Sequence, residues 1–122
     1  MKHTEMFKHA KWVSPLDKCD TPYVRSEFLL KNRVKKAEIT VCGLGFFALY
    51  INGKKVSEDR FTPAYSDYHH NPDHHNFKAF GEILSHRIYC LKYDVKEYLS
   101  DKNCIAAFLA PGWYKGGSKD GA

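Results

Sequence analysis

The 122-residue sequence predicts an all-β protein, an antiparallel sandwich or jelly roll, on three observations. Aromatic residues reach 15%, with eight Tyr, eight Phe and two Trp, a content that suits the half-buried faces of pleated sheets. Short apolar runs, one of them alternating cleanly at period two, are divided by clusters of Gly, Pro, Asn and Asp. The stretch "LYINGKKV" at 49–56 sets Asn52-Gly53 between an apolar run and a basic return, the strongest short-range hairpin signal a sequence carries.

The elements follow in order. After a polar lead-in over 1–21, "PYVRSEFLL" at 22–30 reads as a first strand. "KAEITVCG" alternates, with Ala37, Ile39 and Val41 on one side and Glu38, Thr40 and Cys42 on the other. Gly43 and Gly45 permit a bend or bulge before "FFALYI" at 46–51, which is apolar on both faces and so belongs in a central or covered position. Asn52-Gly53 turns that strand and "KKV" begins its return. "PAYSDYHHNPDHHN" is loop chemistry, and "FKAFGEIL" forms a short helix weakened by Gly81. "RIYCLKYDV" resumes a strand, Asp94 caps one helical turn, and "NCIAAFLA" at 103–110 is a last strand. Residues 115–122 read as a flexible tail. Five or six strands in one domain fall short of the eight or so of a complete jelly roll, so the expected sandwich is incomplete.

Composition narrows the function. The net charge of +5 is scattered, with small clusters at Lys35-Lys36 and Lys54-Lys55, and no arginine-rich segment or basic helix points to nucleic acid. No apolar run has the length of a membrane span, and the N-terminus lacks a signal-peptide core. Cys42, Cys90 and Cys104 lie inside strand-like runs, where a thiol behaves as a small hydrophobe, and no CxxC or zinc spacing occurs. A reduced, cytoplasmic chain is expected; an internal piece of a longer exported protein is the alternative.

The residues that could carry chemistry are few. His69, His70, His74 and His75 crowd into a Pro- and Asn-containing loop, which does not pre-position ligands. His74 and His75 are weak metal candidates beside the simpler reading of a solvated loop. Asp67, Asp73, Glu82 and Asp94 show no spacing that pairs two carboxylates for glycoside hydrolysis, and no nucleophile motif or phosphate loop is present. "GWY" at 112–114 remains: Trp113 and Tyr114 either plug the end of a sandwich or line a shallow sugar site. Asn52 reads first as a turn residue and second as a ligand.

Taken in order, "PYVRSEF", "KAEITVCGLGFFALYINGKKV", "TPAYSDY", "YCLKYDVKEYL" and "NCIAAFLAPGWYKG" resemble the N-terminal β-sandwich of bacterial α-L-rhamnosidases, from Trp12 to about Gly116. The resemblance implies a galactose-binding-like jelly roll, attached to a larger catalytic barrel of paired helices that holds the general acid and base. This chain would then be a non-catalytic accessory module. Its partners would be a rhamnose-containing carbohydrate, sometimes with calcium, or the catalytic domain. Sugar contact would fall to Trp113 and Tyr114 by stacking and to Asp67, Tyr68, Tyr65 and Asn52 by hydrogen bonds and rims; no catalytic residue, cofactor, nucleic acid or membrane is expected. Three departures stand out: 69–86 resembles a His-rich insertion, Ser57-Glu58-Asp59 replaces a Gly-Asp, and Ala110-Pro111 replaces a Gly-Asp ahead of Gly-Trp-Tyr. The last removes a carboxylate that could hold calcium or a sugar hydroxyl. Relatives continue with further strands after Gly-Trp-Tyr, so the chain is expected to be a fragment or to complete itself as a homo-oligomer. A purely structural module that docks on the barrel, and an enzyme acting through His74 and His75, are the competing readings.

Overall fold

The computed structural model describes residues 3–16, 19–63 and 89–112 of the chain. Among these residues six strands form two antiparallel sheets: β1 (Tyr23–Leu29), β2 (Glu38–Cys42), β3 (Phe46–Ile51), β4 (Lys54–Lys55), β5 (Cys90–Asp94) and β6 (Lys102–Ala110). Sheet A runs β1-β6-β3-β4 and sheet B pairs β2 with β5. Apart from the β3–β4 hairpin, successive strands cross between the sheets, and the last strand inserts between β1 and β3, the connectivity of a jelly-roll sandwich. The all-β, antiparallel expectation is borne out.

β3 shows why these residues make a strand. Phe47, Leu49 and Ile51 point one way and are buried, at 7%, 6% and 1% exposure, while Phe46, Ala48 and Tyr50 form a half-buried outer face. That outer face is covered by rings, Phe61 edge-on to Phe46 and Phe108 edge-on to Tyr50, so a strand apolar on both sides has partners on both. Val95 adds another buried aliphatic residue, and Pro63 is buried as completely as Ile51. Burying Ile51 alone contributes about 1.5–3 kcal/mol.

The hairpin forms as the sequence predicts. Asn52 and Gly53 both take positive φ, 51° and 79°, and Ile51 stands opposite Lys54, which is a two-residue turn whose twist matches the strands. The helical turn expected at Asp94 is a 3-10 turn over Lys96–Tyr98. Asp94 does serve it, since its carboxylate accepts the Lys96 N–H at 3.0 Å, but Val95 holds the cap position. The lead-in, polar by sequence, carries a short helix, α1 (His3–Met6), and its later residues reach the end of the sandwich. The short helix expected at 77–84, the insertion at 69–86 and the tail at 115–122 lie outside the described residues.

Candidate functional site

The hairpin tip comes first, because Asn52 is the candidate ligand that falls within the described residues. Its amide Nδ2 donates to the Tyr98 carbonyl at 2.8 Å and to Asn103 Oδ1 at 2.9 Å. Its Oδ1 accepts the Cys104 N–H at 2.9 Å, and its backbone N–H donates to the Cys104 carbonyl at 2.9 Å. Both amide donors are thus committed, and Asn52 ties the β3–β4 hairpin to β6 and to the 3-10 turn. Asn103, 4% exposed, completes the clamp: its Oδ1 also accepts the Ser100 N–H at 2.8 Å, and its Nδ2 donates to the Ser100 carbonyl at 2.6 Å. The sequence marked Asn103 only as the opening of a strand.

Register separates this clamp from the Gly-Trp-Tyr end. Phe46 lies opposite Ala110 while Ile51 lies opposite Ile105, so Asn52 and Gly112 occupy opposite ends of sheet A. At the rise of a strand that is about 20–25 Å. Asn52 therefore serves the fold, at the end of sheet A opposite Gly112. Tyr65, Asp67, Tyr68, His74, His75, Trp113 and Tyr114 lie outside the described residues.

At the Gly112 end two glycines bring backbones together. Gly45, with φ of 95°, packs its Cα against the Ala110 and Pro111 carbonyls, and Gly112, with φ of 51°, packs against Phe46. The surface beside them is a groove of about 410 Å³, lined by Trp12, Leu44, Phe46, Leu109 and Pro111 among others. Asp20 is the charged side chain among the described lining residues. Trp12, 67% exposed, comes from the lead-in and was not singled out as a site residue; an isolated "WVSP" inside a polar segment was the signal available.

Electrostatics elsewhere is structural. Glu38 lies between Lys92 at 3.0 Å and Lys36 at 3.2 Å; the Lys92 hydrogen bond foremost holds its carboxyl below the ordinary range. Partial burial foremost, and Asp59 next, push the Tyr93 hydroxyl up. The four cysteines are thiols, and Cys42 faces Cys90 across the β2–β5 pair. Burial, with Cys90 adding to it, pushes the Cys42 thiol up to about 11. At pH 8 it is protonated, so alkylation by iodoacetamide is expected to label exposed Cys19 first and Cys42 at least about tenfold more slowly. Peptide mass spectrometry over time checks this; equal rates would contradict the packing of sheet B. Because the folded thiol titrates above its unfolded value of 9.0, the stability it contributes is present below pH 9 and is lost as pH rises toward 11.

No group of three or more His, Cys, Asp or Glu comes together among the described residues. Likewise no helix among them is long and apolar enough to cross a membrane.

These features define a small jelly-roll β-sandwich with one polar clamp and one apolar end. The family model for the α-L-rhamnosidase N-terminal domain matches residues 32–122, and the chain belongs to that family. Among curated relatives, an α-L-rhamnosidase of Formosa agariphila is 32% identical over 95 residues, 77% of this chain and 8% of that protein. One of Streptomyces avermitilis is 30% identical over 95 residues, 76% of this chain and 8% of that protein. The solved structure of the Streptomyces avermitilis α-L-rhamnosidase, complexed with L-rhamnose, superposes with a TM-score of 0.60 at 28% identity, covering 78% of this chain and 8% of that one. The chain thus spans about a twelfth of the relatives it matches, and the resemblance read from the sequence is confirmed.

Proposed function

We propose that the chain is a non-catalytic, carbohydrate-associated accessory module of an α-L-rhamnosidase-like glycoside hydrolase, and that it binds terminal L-rhamnose at the Gly112 end of the sandwich. The match to the rhamnosidase N-terminal domain carries the reading. The apolar groove beside Gly112 supports the sugar, since a 6-deoxy sugar offers a methyl group and C–H faces to rings such as Trp12, and Trp113 and Tyr114 follow directly in the chain. Calorimetric titration with L-rhamnose, with and without calcium, is expected to give binding in the millimolar range. Trp113→Ala should abolish it while leaving the circular dichroism spectrum unchanged. Absence of heat from the folded chain would overturn the sugar reading.

A second reading has its own observation: Trp12, Val13 and Leu16 are exposed at 67%, 73% and 103%. A run of bare apolar residues beside the groove suits docking on a catalytic barrel. On that reading Trp113→Ala lowers stability and no sugar binds.

A further inference from the structure

Among the described residues sheet A ends on β1, a seven-residue strand whose strand neighbour is β6. All of it but Val24 is exposed, including Tyr23 at 58%, Phe28 at 37% and Leu29 at 71%. A long apolar edge of this kind is a template for another strand. Its hydrogen-bonding phase can be read. The Leu109 N–H donates to the Pro22 carbonyl at 2.8 Å and the Leu30 N–H to the Asp101 carbonyl at 2.9 Å, so Val24, Ser26 and Phe28 also turn their backbone groups toward β6. Tyr23, Arg25, Glu27 and Leu29 therefore aim theirs at the edge away from β6, where no strand among the described residues pairs with them.

We propose that this edge pairs antiparallel with the same edge of a second copy of the chain, with the two-fold axis at Ser26. In that register each edge-facing residue meets another: Tyr23 opposite Leu29, and Arg25 opposite Glu27, each twice by symmetry. Four such pairs form about eight backbone hydrogen bonds, two per pair. The side chains agree as well. Arg25 and Glu27, already paired within the strand on the outer face, gain an opposite charge across the dyad, and Tyr23 packs on Leu29. On the other face Val24 meets Phe28 and Ser26 meets itself.

Neighbouring registers fail. Moving the axis to Arg25 sets two arginines opposite each other, and moving it to Glu27 sets two glutamates opposite, each with a shorter ladder. The contact closes on itself, so it stops at a dimer. The far edge of sheet A is the two-residue β4, Lys54–Lys55, whose length and charge discourage further pairing.

Sedimentation equilibrium of the 122-residue chain is expected to give twice its 14.1 kDa mass. Arg25→Glu places two like-charged pairs across the axis and should raise the dissociation constant at least about tenfold. Arg25→Glu combined with Glu27→Arg restores both pairs and should return it to within about threefold of the parent. Both side chains are more than half exposed, so the variants keep the fold, which circular dichroism checks. Ser26→Cys should oxidise to a covalent dimer through its own position, because facing residues at such a non-hydrogen-bonded site stand at about disulfide distance. A monomer at millimolar concentration overturns the proposal. So does a dimer that Arg25→Glu leaves intact, or one that the double swap fails to rescue.

Discussion

Asn103→Ala is expected to destabilise the domain by about 2–4 kcal/mol, far beyond the usual cost of trimming a polar side chain. Three groups lose their partners at once: the Ser100 N–H, the Ser100 carbonyl and one donor of the Asn52 amide. Ser100 and Asn52 are exposed enough for water to recover part of that, which is why the figure is not larger. Asn103→Asp separates the causes. It keeps an oxygen for Ser100 and Asn52 but sets a carboxylate against the Ser100 carbonyl, so it too should destabilise, and less so as pH falls and the acid is protonated. A double-mutant cycle with Asn52→Ala should show a coupling of about 1 kcal/mol or more, because the amides bond each other directly. Urea unfolding of the four proteins measures it. Additive effects, or a loss below about 1 kcal/mol for Asn103→Ala, would mean that the clamp does not hold the hairpin to β6.

That clamp also shows what the sequence could and could not convey. Local signals were legible: Asn52-Gly53 specifies a turn through positive φ, and "FFALYI", apolar on both faces, marks a covered strand, although only the fold selects Phe47, Leu49 and Ile51 as its buried face. Five ordered motifs sufficed to place the chain in its family. The bonds from Asn52 to Tyr98 and Asn103 were not legible, because they join residues about fifty positions apart and depend on β6 inserting beside β3. The same insertion sends Asn52 and Gly112 to opposite ends of a sheet, a separation that no reading of spacing along the chain contains. Trp12 was missed for a related reason. Its segment has no periodicity, and only the fold brings it beside Leu44 and Leu109.

The second large effect is expected at Gly45, where two costs that usually travel together can be separated. Gly45→Ala and Gly53→Ala both place a side chain at positive φ, 95° and 79°. At Gly53 a new Cβ meets nothing within 4 Å, so the conformational strain stands alone, at about 1–2 kcal/mol. At Gly45 it would lie 2.4 Å from the Ala110 carbonyl oxygen and 2.7 Å from that of Pro111, both backbone atoms that cannot swing aside. Relief requires parting the end of the β3–β6 pair, where Phe46 faces Ala110, and the cost should reach about 4 kcal/mol or more. Thermal unfolding of the two variants side by side tests this. If they lose equal stability, strain in φ is the whole effect and the close approach of Gly45 to Pro111 carries no weight. If Gly45→Ala loses far more, the Gly bend and the end of β6 at Ala110-Pro111 are mechanically one unit. On the sugar-binding reading, a variant rescued at low temperature should then bind L-rhamnose more weakly, while Gly53→Ala, at the far end of the sheet, should bind it as the parent does.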